Sequence, residues 1–164
     1  MERLWTPWRR AYLESASSAS DSSECFLCAH AADTEHDREN LVLFRAASVF
    51  VLLNLYPYNS GHLMVAPYAH TGDLPGLDAS VASELMHVTQ RAVDALRRVY
   101  TPDGFNVGMN LGKSAGAGVP DHLHVHVVPR WNGDTNFMPV VGETKVLPES
   151  LAQTYARLER AFSG

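Results

Sequence analysis

The chain has 164 residues, of which 46% are hydrophobic and 19% charged, with a formal net charge of −5 at pH 7. That length supports one domain with a real core, and an acidic chain whose only lysines are Lys113 and Lys145 offers no basic face, so nucleic acid is not an expected partner. No apolar stretch approaches the roughly 20 residues of a membrane span, and none follows Arg9 and Arg10 as in a signal peptide, so the expectation is a cytoplasmic protein without a membrane partner.

Residues 1–14 carry Trp5, Trp8 and Tyr12, aromatic side chains that need something to pack on. They read as an arm on the domain surface, or as one that lines a site or a subunit contact. Residues 15–23 are serine-rich and read as a flexible linker. The expected division is therefore 1–23 as arm and linker, and 24–164 as a single domain. Cys25 and Cys28 follow in C-x-x-C spacing. Two thiolates at this spacing bind one zinc from a tight turn, or form a redox pair. A redox pair usually sits beside a βαβ pattern, and none is evident. A structural zinc needs two further ligands for tetrahedral closure, and the candidates are His30, His36, His70 and His122. His36 lies in the polar run Asp33–Asn40 and reads as a solvated loop residue.

Residues 41–44 and 48–53 are short apolar runs that predict two antiparallel strands. The turn-rich segment 54–61 leads to a third strand at 62–67, closed by Pro67. From about Ser80 to Tyr100 the apolar positions Val81, Leu85, Val88, Ala92, Leu96 and Val99 keep helical spacing, so a scaffold helix is expected. Residues 105–112 read as a fourth strand. The glycine-rich segment 113–120 follows, where backbone N–H groups can approach an anion and form a phosphate nest. After the next strand a C-terminal helix is expected from about Pro148, with Leu151, Tyr155, Leu158 and Phe162 as its buried stripe and the proline in its first turn.

The strand in between, Asp121–Trp131, holds His122, His124 and His126 at every second position, with Leu123, Val125 and Val127 between them. A period of two puts the imidazoles on one face and the apolar residues on the other. Such a row is compatible with a half-exposed strand, with a zinc site using two of the three, or with nucleophilic catalysis in which one imidazole attacks and its neighbours position it. An attacking imidazole needs one bare nitrogen, so its other nitrogen has to carry the proton and be held, for example by a backbone carbonyl.

His122-Leu123-His124-Val125-His126-Val127-Val128 matches in full the signature His-φ-His-φ-His-φ-φ, with φ apolar, and on this stretch the chain resembles the histidine triad (HIT) family. The opening Leu4-Trp5-Thr6-Pro7-Trp8-Arg9 and the segments 131–137 and 141–148 are similar to the bacterial dinucleoside polyphosphate phosphorylase branch of that family. The resemblance implies an α+β, HIT-like fold, an antiparallel sheet of about five strands with one long helix and a C-terminal helix, usually a homodimer. It implies a nucleotide substrate, such as the adenine dinucleotide diadenosine tetraphosphate, cleaved at the α-phosphate through a nucleotidyl-histidine intermediate. His124 would be the nucleophile, with His126 and His122 beside it. Asn54 would contact the ribose hydroxyls, and Asn110, Lys113 and the backbone of Gly116, Ala117 and Gly118 the phosphate. His62 matches a position that supports the triad, or is a histidine satisfied within the core. Zinc-bearing members imply structural Zn2+ on Cys25, Cys28, His70 and His122, with His30 the chief rival to His70.

One departure bears on substrate choice. The family pattern is Asn-x-Gly-x-x-Ala-Gly-Gln-Ser/Thr-Val-x-His. Asn110, Gly112, Ala115 and Gly116 keep it, but Ala117 and Gly118 replace the glutamine and the hydroxyl that hold the α-phosphate. Phosphate as second-step acceptor makes a phosphorylase, which the terminal resemblances favour, and water makes a hydrolase. A hydrolase of nucleoside phosphoramidates and a catalytically weak nucleotide-binding module are the other readings.

Overall fold

A computed structural model describes residues 25–134 and 148–163. The expected arm and linker at 1–23 lie outside the described residues, as do 135–147, which hold most of the two phosphorylase-like segments after the triad. The described elements are α1 (Phe26–Ala32), β1 (Val42–Arg45), β2 (Val49–Leu53), β3 (Leu63–Pro67), α2 (Ala79–Tyr100), β4 (Gly104–Gly108), β5 (Val125–Arg130) and α3 (Leu151–Phe162). The strands form one antiparallel sheet in the order β1-β2-β3-β5-β4, the α+β arrangement the sequence implies.

The two-residue period of the strands builds two apolar layers. Val49, Val51, Leu53, Leu63, Val65, Val125 and Val127 pack under α2 and α3. On the opposite face Val42, Phe50, Leu52, Met64 and Ala66 close around Leu27 of α1. Every residue of β2 and β3 is buried, and each aliphatic side chain fully buried there contributes about 1.5–3 kcal/mol. α1 covers only the β1–β3 part of the second face. The rest of that face, over β5 and β4, is where polar side chains can meet a ligand.

α2 begins where Asp78 accepts a hydrogen bond from the Ser80 amide, and buries Leu85, Val88, Ala92 and Leu96 as its spacing predicts, with Thr89 and Ala95 added. Val81 and Val99, at its two ends, are only partly buried. α3 starts later than expected. Ser150 and Gln153 form a capping box that fixes Leu151 as the first helical residue, so Pro148 precedes the helix instead of sitting in its first turn. Gly61 turns β2 into β3 with φ +77°, and a Cβ there would lie 2.9 Å from Leu96 Cδ2, which leaves glycine as the residue that fits. No helix among the described residues is long and apolar enough to cross a membrane.

Two local elements differ from expectation. Cys25-x-x-Cys28 is not a plain tight turn: Cys25 is the N-cap of α1 and Cys28 lies in its first turn. A seven-residue helix is not stable alone. Arg45 holds it in place, donating to the carbonyls of His30, Ala31 and Asp33 and to the Asp37 carboxylate, and so satisfies carbonyls that a helix C-terminus leaves open. The fourth strand ends at Gly108, not at 112, because Gly112 turns the chain with φ +78° into a 3-10 turn over Lys113–Ala115.

Candidate functional site

Cys25, Cys28, His70 and His122 converge, their ligand atoms all within 4.8 Å of one another. Cys25 Sγ lies 3.3 Å from His122 Nδ1, Cys28 Sγ 3.3 Å from His70 Nδ1 and 3.5 Å from His122 Nδ1, and the two Nδ1 atoms are 3.4 Å apart. A tetrahedral ion with bonds of about 2.0–2.3 Å needs ligand–ligand edges of roughly 3.3–3.8 Å. The donor set therefore fits one zinc-sized ion. His122 Nε2–H donates to the Pro67 carbonyl at 2.8 Å, which leaves Nδ1 unprotonated and aimed at the ion position, as a metal ligand's outer partner does. His30 is not in this cluster: its ring stacks edge-on against Phe26 at 5.6 Å. His36 pairs with Asp33 at 2.9 Å on the surface, as a solvated loop residue should.

The three triad histidines do not form one uniform row. The β5 ladder begins at Val125, and before it the chain turns, with the His122 amide 3.4 Å from the Val119 carbonyl. His122 thus belongs to the cysteine–histidine cluster, while the His124 and His126 rings meet edge to face at 4.8 Å. The His124 Nδ1–H donates to the His122 carbonyl at 2.8 Å, so the expected backbone holder is the preceding triad residue and Nε2 is left bare. Burial lowers the pKa of the His124 imidazole below its ordinary 6.5, with the His122 carbonyl opposing, and a buried ring of this kind is neutral at pH 7.

A second chain of hydrogen bonds sets His126. The Tyr58 amide donates to His62 Nδ1 at 3.1 Å, so the proton of neutral His62 sits on Nε2, 3.0 Å from His126 Nδ1. His126 then accepts at Nδ1 and carries its own proton on Nε2. His62 is completely buried, so the two roles considered for it coincide: it is a satisfied core histidine and it orients the triad. The Tyr58 amide has no sequence signal, because any residue but proline supplies one.

Asn54 serves a turn. Its Oδ1 accepts from the Tyr56 amide at 2.9 Å, and its Nδ2 lies 3.5 Å from His62 Nε2. The phosphate nest expected of 116–118 is partly used up: the Gly116 amide donates to Lys113 O at 3.0 Å, and the Ala117 amide makes a long bond of 3.4 Å to Gly112 O. Of the three amides, only that of Gly118 has no partner among the described residues. Asn110 reaches Gly116 O at 3.4 Å, and Lys113 is exposed at the start of the 3-10 turn.

Beyond β5 the sequence reading missed a clamp. Asp134 accepts from Arg130 Nε at 2.6 Å and from Asn59 Nδ2 at 2.8 Å, and Asn59 also donates to Pro129 O. Arg130 holds the Asp134 carboxyl well below the usual carboxylate range. The Arg130-x-x-x-Asp134 spacing around Gly133 (φ +80°) was its only sequence trace.

With this geometry in hand, three likenesses to known proteins can be stated. The chain is 47% identical over 158 residues to "AP-4-A phosphorylase" of Mycobacterium tuberculosis, covering 94% of this chain and 80% of that protein. It is 27% identical over 124 residues to "Bis(5'-nucleosyl)-tetraphosphatase [asymmetrical]" of Schizosaccharomyces pombe, covering 75% of this chain and 68% of that one. The solved structure of a zinc-bound histidine triad family protein from Mycobacterium smegmatis superposes with TM-score 0.68 at 28% identity, covering 87% of this chain and 95% of that one. The HIT domain profile matches residues 35–133, which span the sheet, α2 and all three triad histidines, and the chain belongs to the histidine triad family.

Proposed function

We propose that this protein is a dinucleoside polyphosphate phosphorylase, acting on an adenine dinucleotide such as diadenosine tetraphosphate. The observation that carries the reading is His124: a buried, neutral imidazole with Nδ1–H held by a backbone carbonyl and Nε2 bare. The His124 Nε2 lone pair attacks the α-phosphorus. The bond from that phosphorus to the bridging oxygen breaks, the nucleoside polyphosphate leaves, and the nucleotidyl group stays on His124. His126 Nε2–H donates to the departing oxygen, and the Gly118 amide meets the charge on the equatorial oxygens. In the second step a phosphate oxygen attacks the same phosphorus, and His124 is released. The 47% identical relative's name supports phosphate as acceptor.

The acceptor is tested with diadenosine tetraphosphate in the presence and absence of inorganic phosphate. Turnover to ADP and ATP that depends on phosphate is expected. AMP and ATP formed at the same rate without phosphate would make the protein a hydrolase instead.

In this reading Cys25, Cys28, His70 and His122 hold one zinc, whose contribution when bound is a cross-link between α1, the end of β3 and the triad segment. No step of the reaction passes through it. Paired thiols kept reduced for a metal suit a cytoplasmic protein. The protein acts as a homodimer. β4 is an outer strand of the sheet, and Val107 on it is 48% exposed, an arrangement that invites pairing with a second copy. Light scattering at micromolar concentration is expected to give twice the chain mass, and Val107→Lys to give the monomer. A wild-type monomer at that concentration would refute the assembly.

A further inference from the structure

The hydrogen bond between His62 and His126 can run in either direction. His62 Nε2 and His126 Nδ1 lie 3.0 Å apart, and two neutral imidazoles can share that distance in two ways. In one, His62 Nε2–H donates and His126 keeps its own proton on Nε2. In the other, His126 Nδ1–H donates to a bare His62 Nε2, and His126 Nε2 becomes an acceptor. Two neighbours pull in opposite directions. The Tyr58 amide donates to His62 Nδ1 at 3.1 Å and selects the first arrangement. The Asn54 carboxamide nitrogen lies 3.5 Å from His62 Nε2, with Asn54 Oδ1 committed to the Tyr56 amide, and suits the second. The balance depends on where the Tyr58 N–H is held.

Tyr58 lies between β2 and β3, in a stretch with neither helix nor strand to fix it. Its neighbour Asn59 is anchored instead. Asn59 is only 7% exposed, and its carboxamide gives one N–H to the Pro129 carbonyl at 3.1 Å and the other to Asp134 Oδ2 at 2.8 Å. Asp134 is tied to the strand that carries His126. Arg130 grips its carboxylate with two bonds, at 2.6 and 2.8 Å, and the Trp131 amide donates to it at 3.2 Å. A carboxylate engaged by a forked guanidinium and two further N–H groups is far more rigid than a single surface ion pair. On the other side of the loop the His62 amide donates to Asn59 O at 3.1 Å. The clamp thus joins loop and strand one residue away from the amide that sets the tautomers.

We propose that Asn59 and Asp134 are positioning residues for the transfer: they hold the Tyr58 amide on His62 Nδ1, which keeps the His126 proton on Nε2, where the leaving oxygen needs it. The consequence for rate rests on the nucleotidyl-transfer reading, whereas the consequence for the tautomers rests on the hydrogen bonds alone. A bare His126 Nε2 would meet the departing oxygen lone pair to lone pair. Loss of the clamp therefore removes the same donor that His126→Ala removes.

The test reads the ring nitrogens directly, by 15N spectra of the histidines above neutral pH. In the wild type His62 and His126 should both carry the proton on Nε2, and His124 on Nδ1. Asn59→Ala is expected to move the His126 proton toward Nδ1, while His124, held by the His122 carbonyl, stays as it is. Its kcat on diadenosine tetraphosphate should fall by up to about 100-fold, the lower end of the scale for one preorganised donor, with KM little changed. Adding Asn59→Ala to His126→Ala should cost nothing further, because the two substitutions remove one and the same donor. Asp134→Asn keeps the shape of the clamp and weakens its pull, so it should show both effects in smaller measure, and it decides the matter if Asn59→Ala does not fold. Unchanged tautomers in whichever variant folds, or losses that multiply when Asn59→Ala joins His126→Ala, would overturn the proposal and leave the clamp a brace for the fold. A wild-type protein that turns over no dinucleotide refutes the transfer reading alone, because the ring spectra still decide what the clamp holds.

Discussion

Replacing His124 by alanine is expected to lower kcat on diadenosine tetraphosphate by about three orders of magnitude or more, with nucleotide affinity changed only a few-fold. Alanine removes the one nitrogen that is held ready to attack, whereas the surfaces that bind the nucleotide stay in place. The neighbours predict unequal losses. His126→Ala removes a hydrogen bond to the leaving oxygen and should cost less, about 100-fold, the lower end of the scale of a single preorganised donor. His122→Ala acts on His124 through folding and the metal cluster, so its loss should track metal content. The pH dependence follows from the same geometry. The reactive form of His124 is the neutral one, present above its pKa and lost as pH falls through it. Burial lowers that pKa, so the acid limb of kcat/KM should lie below the ordinary histidine value of about 6.5. The adduct provides the direct check: quench turnover of labelled substrate, digest, and find the label on the peptide containing His124. Label on His122 or His126, or full activity in His124→Ala, would overturn the mechanism.

The triad was legible because its chemistry and its periodicity coincide in five residues. Alternating histidine and aliphatic side chains state a strand and its two faces, and from Val125 onward the β5 ladder follows that reading. The long helix was legible for the same reason, since Leu85, Val88, Ala92 and Leu96 repeat over several turns. What stayed hidden depends on contacts between distant segments or on backbone atoms. α1 is seven residues long and is held by Arg45, whose partners lie 8 to 15 positions away. The amide that sets the His62 and His126 tautomers belongs to Tyr58, a residue whose side chain gives no hint of that role. The glycine-rich segment showed the opposite failure. Its composition promised free amides, but a 3-10 turn consumes the Gly116 amide and engages that of Ala117, because a short loop has to satisfy its own backbone before it can serve a ligand. The split of the histidine row into one residue at the metal cluster and two at the pocket follows from where the β5 ladder starts, which hydrophobic alternation alone does not fix.

Cys25→Ser is expected to abolish stoichiometric zinc and to lower the thermal midpoint by about 10 °C or more. Three segments far apart in sequence supply the ligands: the start of α1, the residues after β3, and the turn before β5. An ion bound there ties together three segments far apart in sequence, and because the unfolded chain holds no such site, binding free energy becomes folding free energy. For a chain of this size each kcal/mol lost moves the midpoint by roughly 2–4 °C, so a loss of about 3–5 kcal/mol gives the expected shift. Serine offers a poor ligand of nearly the same shape, which separates metal loss from cavity formation. Elemental analysis of protein purified without added metal should give one zinc per chain for the wild type and close to none for Cys25→Ser. A chelator should move the wild-type midpoint toward that of the variant and leave the variant itself unmoved. The same geometry predicts that His70→Ala weakens zinc binding and that His30→Ala leaves the stoichiometry at one, since His30 packs on Phe26 away from the cluster. An ion held by these four residues would also bear on the reaction at one remove. The carbonyl that holds His124 Nδ1–H belongs to His122, so a variant that frees His122 from the ion should lose kcat before it loses nucleotide binding. Zinc retained at full stoichiometry in Cys25→Ser, or lost in His30→Ala, would contradict this assignment of the four ligands.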